Sequence, residues 1–170
     1  DGSLLWETEV VNPDPAVVKR RHQKNSYASC PPILSDGVIY AHFGHLGTCA
    51  LDLESGKVIW KQVIEYQPVH GNGGSPVLVD DLLIFSVDGS KNPAVYALRA
   101  SDGEIAWRTP RESIARKKFS FSTPLVIEVK GRKQVVSPGS GMVGAYAVED
   151  GSLQWQVRYG EGYSVIPKPV

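Results

Sequence analysis

Short apolar runs separated by turn residues dominate the hydrophobic pattern of this 170-residue chain. One stretch contains four runs in succession, PVLVD, DLLIFSVD, AVYALRA and EIAWRTP. They are rich in Val, Ile, Tyr and Phe and are bounded by Asp, Gly, Ser or Pro, which is typical of β-strands. Because no window shows a sustained helical period of apolar residues, the pattern predicts an all-β fold.

Two independent markers show that this pattern repeats. The four tryptophans end the related stretches DGSLLW, ALDLESGKVIW, ALRASDGEIAW and AYAVEDGSLQW, at spacings of 54, 47 and 48 residues. Prolines that open apolar runs recur at spacings of 44, 48 and 45 residues, at Pro32, Pro76, Pro124 and Pro169. A fixed period of about 20–50 residues indicates a solenoid, a propeller or an array.

Four short strands per repeat are typical of a β-propeller blade, and we label them A to D, with the tryptophan on strand D. The turns ESGK, SDGE and EDGS place Gly56, Gly103 and Gly151 where a positive φ is expected. The sequence therefore predicts a partial β-propeller of four-stranded antiparallel blades. Three complete blades are expected at 30–64, 74–110 and 122–159, with a lone strand D at 1–11 and the start of a strand A at 167–170.

The stretch at 50–60 resembles the tryptophan-docking motif of the quinoprotein-dehydrogenase-like (PQQ-like repeat) β-propellers, written A-x-D-x-x-T-G-x-x-x-W. It matches at Ala50, Asp52, Gly56 and Trp60, with Ser55 in place of the threonine. The two later copies keep the alanine, glycine and tryptophan but replace the first acid with Arg99 and Ala147. The resemblance implies that a flat ring packs between neighbouring blades at each repeat, which gives a structural role to Trp6, Trp60, Trp107 and Trp155.

Composition excludes several classes of protein. The 18 basic residues balance the 18 acidic residues, so bulk charge does not favour nucleic-acid binding. The chain contains no apolar run long enough for a transmembrane helix. Two cysteines, Cys30 and Cys49, are too few for a disulfide framework, and we expect two free, buried thiols in preference to a disulfide between them. Since a propeller has roughly 4–8 blades, we expect a piece of a longer ring, and two such pieces could complete one ring as a dimer.

The two ends of the predicted blades differ in charge. The D–A and B–C loops hold ten basic residues against five acidic residues, whereas the opposite turns hold five against eleven. The basic end also has all four histidines and the longest loop, residues 12–29. Because long loops on a rigid scaffold carry ligands, we expect the ligand face at this end. Its candidate residues are His22, Lys24, Asn25, Asn72, Arg116, Lys117 and Lys118.

No catalytic constellation can be identified on this face. His42, His45 and His70 are weak candidates for metal ligands, because neither an acid partner nor a cysteine motif accompanies them. The glycine-rich stretch 70–76 lacks the lysine of a P-loop and precedes a strand, which favours a tight loop that lets blades approach closely. The stretch ARKKFSFS at 115–122 either binds an anionic small molecule or glycan, a phospholipid headgroup or nucleic acid, or turns its phenylalanines inward and its cations to solvent.

The family resemblance implies two main functions from different classes, and a sensor domain that binds a sugar or other small molecule is a third option because the ligand face is basic and rich in polar loops. One is a cofactor-free binding or scaffolding platform for protein partners, similar to the lipoprotein of the outer-membrane barrel-assembly machinery. The other is part of a dehydrogenase that uses pyrroloquinoline quinone (PQQ) beside calcium and oxidises alcohols or sugars. No adjacent cysteine pair and no calcium-site pattern near Asn25, Asn72 or Asp88 carries over from the dehydrogenases, so we favour the platform, with no cofactor expected. The resemblance further implies a periplasmic or cell-envelope location, with a protein or the remaining blades as partner.

Overall fold

The computed structural model describes residues 2–18, 22–23, 25–89, 91–160 and 165–170. Its twelve described strands form three separate four-stranded antiparallel sheets, as predicted. Within each sheet the strand order follows the chain, so that each sheet is an up-and-down meander. The regular helical structure of the described residues is a single turn at Pro15–Val18 and a 3₁₀ turn at Gly44–Leu46.

The strands of each sheet correspond to A, B, C and D of one predicted blade. Sheet 1 contains β1 to β4, at Ile33–Ser35, Val38–His42, Thr48–Asp52 and Val58–Gln62. Sheet 2 contains β5 to β8, at Val77–Val79, Leu82–Val87, Ala94–Arg99 and Ile105–Pro110. Sheet 3 contains β9 to β12, at Leu125–Val129, Arg132–Gly139, Met142–Ala147 and Leu153–Arg158.

The turns between strands C and D have the same geometry in all three sheets. Gly56, Gly103 and Gly151 have φ of +68°, +75° and +72°, so the expectation of a positive φ at these glycines is confirmed. In each turn the glycine N–H donates a 2.9 Å hydrogen bond to the carbonyl four residues earlier. Glycine is required there because other residues reach the left-handed region only at a cost.

A bulge recurs in the C–D strand pair of each sheet, close to these turns. The register of the C–D pair shifts after the alanine that lies directly opposite the tryptophan, at the pairs Ala50–Trp60, Ala97–Trp107 and Ala145–Trp155. All three alanines are fully buried. A residue as small as alanine in this position leaves space for the large ring on the neighbouring strand.

The tryptophan of one sheet contacts the C–D turn of the next sheet. Trp60 of sheet 1 donates a 2.8 Å hydrogen bond from its indole Nε1 to the carbonyl of Ala100 in sheet 2. Its ring lies against Gly103, where an added Cβ would be 2.4 Å from the ring atom Cε3. The joint therefore uses the indole face and the indole N–H together.

Two further joints repeat this arrangement. In one joint, Trp107 covers Gly151 and donates its indole N–H to the carbonyl of Val148. In the other, Trp6 covers Gly56 and donates to the carbonyl of Leu53. The two indole hydrogen bonds measure 2.9 and 3.0 Å, respectively. A threonine two residues after the tryptophan adds a bond to the glycine carbonyl, from Thr109 at 2.6 Å and from Thr8 at 2.7 Å.

Trp155 has different surroundings from the other three tryptophans. Its Nε1 donates to the side-chain Oε1 of Gln134 within its own sheet at 3.1 Å, and 39% of the residue is exposed. Among the described residues no further sheet lies beyond sheet 3 to receive the ring. The docking role that the motif predicts for Trp155 therefore has no counterpart in the described part of the chain.

Apolar side chains fill the two gaps between the sheets. Between sheets 1 and 2 the cluster contains Tyr40, Trp60, Leu83, Phe85 and Leu98. Between sheets 2 and 3 it contains Val79, Ile84, Val95, Trp107, Val135 and Tyr146. Successive residues of β6 belong to different clusters, because side chains alternate between the two faces of a strand.

The flanking segments do not form the strands predicted for them. The described residues 2–11, expected as a strand D, make no strand ladder because no described strand lies beside them to pair with. They follow sheet 1 through the Trp6 and Thr8 bonds and through Lys61 Nζ, which donates to Val10 O at 2.7 Å. Residues 167–170, expected to begin a strand A, also lack a described partner strand.

Candidate functional site

The long loops lie together at one end of the sheets. In an up-and-down sheet the D–A and B–C connections lie at the same end. We call this end the loop face. The connections that form the loop face are residues 43–47, 63–76, 88–93, 111–124 and 140–141. The segment 12–32 leads into β1 at the same end.

Asn25 ties the segment before β1 to the glycine-rich loop. Its Nδ2 donates to the carbonyls of His70 and Asn72, at 2.9 and 3.0 Å. The His22 and His70 rings meet edge to face with their centroids 5.1 Å apart. Three residues predicted for the ligand face, His22, Asn25 and Asn72, are thus brought to one place around the loop at 70–74.

The glycines of this loop allow a close approach to the next connection. A Cβ on Gly73 would be 3.0 Å from the Cβ of Phe121, and one on Gly74 would be 2.8 Å from the backbone oxygen of Ser122. This geometry agrees with the prediction that residues 70–76 are a tight loop between closely spaced blades.

The two cysteines are free and buried, as expected. Cys30 bridges two loops, because Asn72 Nδ2 donates to its Sγ at 3.0 Å and its own thiol donates to the carbonyl of Gly74 at 3.2 Å. Burial raises the pKa of the Cys30 thiol to about 11, against a smaller lowering by Ser75. Burial also raises the pKa of Cys49. Both sulfurs are therefore neutral near pH 7 and serve as packing groups.

The histidines occupy separate environments. His42 is buried against Phe85, with ring centroids 4.4 Å apart, and its Nδ1 lies 2.8 Å from Thr48 Oγ1. Burial lowers the pKa of His42 to about 4. His45 lies between the rings of Tyr27 and Tyr66. The described residues contain no group of three or more His, Cys, Asp or Glu residues that could hold a metal ion.

A buried ion pair between sheets 2 and 3 lies beneath the loop face. Arg111 Nη1 donates to Asp88 Oδ2 at 2.9 Å, and the two side chains are 1% and 3% exposed. Arg111 also donates to the carbonyl of Pro138 at 3.1 Å and to Ser137 Oγ. Ser120 Oγ donates a further bond to Asp88 Oδ2. The pair thereby joins β6, β10 and the two connections that follow β6 and β8.

Some polar atoms of this ion pair, and one of Ser122 in the same loop as Arg111, lack a hydrogen-bond partner within the described residues. Asp88 Oδ1, Arg111 Nε and Ser122 Oγ are buried without a hydrogen-bond partner there. Burial raises the pKa of the Asp88 carboxyl, while the charge of Arg111 and the Ser120 bond oppose that shift. The sequence pattern did not predict this pair, because Asp88 and Arg111 lie 23 residues apart in different connections.

The stretch at 115–122 divides its side chains between the interior and solvent. Phe119 is buried, with its ring 5.6 Å from that of His70 and 5.7 Å from that of Phe121. Arg116, Lys117 and Lys118 are exposed. The second of the two readings of this stretch therefore holds for Phe119 and the three cations, whereas Phe121 is half-buried. Lys24, the remaining candidate of the ligand face, lies outside the described residues.

None of the helices that the structure describes is long and apolar enough to cross a membrane.

Comparisons with known proteins place this geometry in one group of propellers. A family named PQQ_2 and described as "Outer membrane protein assembly factor BamB" matches residues 1–165. A quinohemoprotein alcohol dehydrogenase, ADH IIB of Pseudomonas putida, is 27% identical over 149 residues, which are 80% of this chain and 21% of that protein. The outer membrane protein assembly factor BamB of Escherichia coli (strain K12) is 34% identical over 92 residues, which are 50% of this chain and 22% of that protein.

A solved structure agrees with these sequence relationships at the level of fold. The quinohemoprotein alcohol dehydrogenase of Comamonas testosteroni superposes with a TM-score of 0.61 at 20% identity, over 76% of this chain and 20% of that one. The chain spans about a fifth of the length of the curated relatives that it matches. The prediction of a PQQ-like repeat β-propeller is confirmed.

Proposed function

The chain belongs to the PQQ_2 family of β-propellers, described as "Outer membrane protein assembly factor BamB", and on that premise we propose that it is a rigid platform that binds a protein partner through the loop face. The proposed contact residues are those that surround the loop at 70–74 and the exposed cations beside it. They are His22, Asn25, Asn72, Arg116, Lys117 and Lys118.

One observation carries this proposal, namely that polar side chains of the loop face, half-buried or buried, bond to neighbouring loops. Asn25 holds the 70–74 loop, and Asn72 holds Cys30. Arg111 and Asp88 join sheets 2 and 3, and Ser113 Oγ donates to the carbonyl of Ser140. Loops that are fixed to one another in this way form a surface of defined shape, and a preformed surface lowers the entropic cost of binding a partner.

The exposed charges suggest how a partner is recognised. Arg116, Lys117 and Lys118 are consecutive and exposed above the buried Phe119. Complementary charge on a partner steers association and fixes orientation. The Escherichia coli relative is by name an outer membrane protein assembly factor. By analogy with it, we place the proposed platform in the periplasm or the cell envelope, with an assembly component as its partner.

Site-specific photocrosslinking tests the platform. A photoreactive amino acid replaces Lys117 in the chain exported to the periplasm of an E. coli strain that lacks its own assembly factor. The proposal expects an adduct with a component of the outer-membrane assembly machinery, identified by mass spectrometry. The same amino acid at Lys130, exposed on the opposite turns, is expected to give none.

A charge reversal provides the second arm of this experiment. Changing Arg116, Lys117 and Lys118 to Glu, with the photoreactive group moved to Asn72, is expected to abolish the adduct without lowering the melting temperature. The matched control changes three exposed cations of the opposite turns, Lys57, Lys130 and Arg132, to Glu. Equal adducts in the two triple variants, or adducts at Lys117 and Lys130 alike, would contradict the proposal.

A second function, part of a PQQ-dependent alcohol or sugar dehydrogenase, is favoured by one specific observation. The dehydrogenase relative matches 80% of this chain, whereas the assembly-factor relative matches 50%. In that function the quinone would supply the redox chemistry, and calcium would polarise it.

The described residues of this chain do not fit that cofactor. Calcium requires about 6–8 oxygen ligands, several of them usually carboxylates, yet the described residues contain no group of three or more His, Cys, Asp or Glu residues that could hold a metal ion. Asp88, the buried carboxylate of the loop face, is 3% exposed and already holds Arg111 and Ser120. A dehydrogenase would therefore need residues from other blades of a longer protein.

A thermal-shift titration separates the two functions. The chain is titrated with PQQ plus calcium, beside calcium alone and PQQ alone. A ligand at 100 times its dissociation constant adds about 2.7 kcal/mol to the free energy of unfolding. A rise in melting temperature that needs both components would favour the dehydrogenase, whereas no rise is expected for the platform.

A further inference from the structure

A cleft of about 720 Å³ opens between sheets 1 and 2. Small-molecule sites commonly have volumes of about 300–1,000 Å³. Tyr96 on β7 and Arg108 on β8 form one wall, and Lys61 on β4 with Val63 forms the other. No residue of the proposed contact set lines it.

Arg108 is held in place on its wall of the cleft. It lies directly opposite Tyr96 in the register of β7 and β8. Its Nε donates a 2.9 Å hydrogen bond to the Tyr96 hydroxyl, and its guanidinium carbon lies 5.6 Å from the centre of the Tyr96 ring. Among the described residues its two terminal nitrogens have no hydrogen-bond partner. A guanidinium fixed by one nitrogen presents the other two as a planar fork, which suits a carboxylate or phosphate.

The charges around the cleft favour an anion. Three cations line it, Lys61, Lys91 and Arg108, against a single acid, Glu65. The Lys61 ammonium is fixed at the wall by its bond to Val10 O at 2.7 Å. Lys91 is exposed on the connection between β6 and β7. Several cations that line one cleft attract an anion more strongly than isolated surface charges do.

The rest of the lining is largely apolar. It includes Val11, Leu46, Val63, Tyr66 and Val87. Such a surface would be covered by an apolar group attached to the anionic one. We propose that this cleft binds a small organic anion, with its carboxylate or phosphate on Arg108 and its apolar body against Val63, Leu46 and Tyr66.

Calorimetric titration of the purified 170-residue chain with defined probes tests this site. The probes are 2-naphthoate, 2-naphthyl phosphate, neutral 2-naphthalenemethanol and inorganic phosphate. The proposal expects saturable binding of at least one of the two naphthyl anions, at least tenfold tighter than both the alcohol and inorganic phosphate. The better of the two anions identifies the acidic group. An absence of saturable binding, or equal affinities for anion and alcohol, overturns the proposal.

Matched variants locate the bound anion. Arg108→Gln is expected to weaken binding of the better anion at least tenfold, while Arg158→Gln, the same change on the exposed β12 of sheet 3, leaves it unchanged. Lys91→Gln, at an exposed loop position, is expected to weaken binding severalfold and supplies the test if Arg108→Gln does not fold. Equal losses in the Arg108 and Arg158 variants, or no loss in either cleft variant, overturn the proposal. Because Arg108 and Lys91 are not among the proposed contact residues, failure here leaves the crosslinking result untouched.

Discussion

The indole of Trp107 lies on Gly151 of the next sheet and donates from Nε1 to the carbonyl of Val148 at 2.9 Å. Trp107 is 8% exposed, although it belongs to the outermost strand of sheet 2. One side chain thus fills the gap between two sheets and satisfies its single polar group there, as a buried indole requires.

Replacement of a tryptophan by alanine is expected to lower the free energy of unfolding more where the ring contacts the next sheet than where it does not. Trp107→Ala should lower the free energy of unfolding by about 3–5 kcal/mol, as for other buried aromatic residues. Trp155→Ala, at an equivalent position that is 39% exposed, should cost less than about 1 kcal/mol. Urea denaturation followed by circular dichroism measures both. Equal losses would show that the contact with the next sheet is not what stabilises the ring.

A methyl group on the covered glycine should be more harmful than its backbone angle alone predicts. Gly151→Ala places a Cβ 2.4 Å from Trp107 Cε3, whereas Gly131 has a similar φ of +75° with nothing within 4 Å of its Cβ. Gly131→Ala should therefore cost only the left-handed backbone penalty, about 1–2 kcal/mol. Gly151→Ala adds the displacement of the ring, for a total of roughly 2–5 kcal/mol. Chemical denaturation of the two variants gives the difference, and equal costs would contradict the packing of the indole on this turn.

The Arg111–Asp88 pair should be sensitive to the loss of one partner. Arg111→Met leaves the Asp88 carboxylate buried without its cation, which should cost about 3–5 kcal/mol. The double variant Arg111→Met with Asp88→Leu should recover part of that loss, because no uncompensated charge remains. A double-mutant cycle in urea measures the coupling free energy. Additive losses would mean that the two charges do not act as a pair.

Protonation of His42 should destabilise the fold in acid. Its folded-state pKa of about 4 lies below the ordinary value of 6.5, so the unfolded state binds more protons between these values. Stability is therefore complete above about pH 6.5 and falls as the pH drops towards 4, by about 2 kcal/mol at pH 5.

The matched variant for this effect is His42→Gln, which keeps polarity near Thr48 but cannot titrate. Free energies of unfolding at pH 8 and pH 5 should differ by about 2 kcal/mol less in His42→Gln than in the original chain. The same pH dependence in both proteins would show that the acid sensitivity arises elsewhere.

The repeat-based features were predictable because each depends on residues close in sequence. The turn glycines, the tryptophans opposite buried alanines and the four strands per repeat all lie within one 46-residue period, where local pattern and structure coincide. Arg99 occupies the position that Asp52 has in the preceding copy, and the turn keeps its geometry despite this change. Arg99 forms ion pairs with Asp102 and Glu104 where Asp52 instead accepts bonds from Ser55.

Features that depend on the contacts between neighbouring sheets were not predictable from the local sequence pattern. Trp155 keeps the alanine, glycine and tryptophan of the motif but has no described neighbour, so its ring bonds to Gln134. Residues 2–11 have a strand-like composition, but a strand also requires a partner that donates and accepts along its edge. The Arg111–Asp88 pair and the cleft beside Arg108 combine residues from separate sheets, for which no sequence spacing gives a signal.

The inter-sheet joint consists, on its receiving side, of a glycine and a main-chain carbonyl. Neither group changes when the side chains of the receiving sheet change. Blades joined in this way act as interchangeable modules, in which any repeat with the turn glycine can follow any repeat with the tryptophan. The exposed faces of individual blades are consequently free to diversify, and a duplicated or exchanged copy would require adjustment of the side chains that fill the gaps but not of this joint.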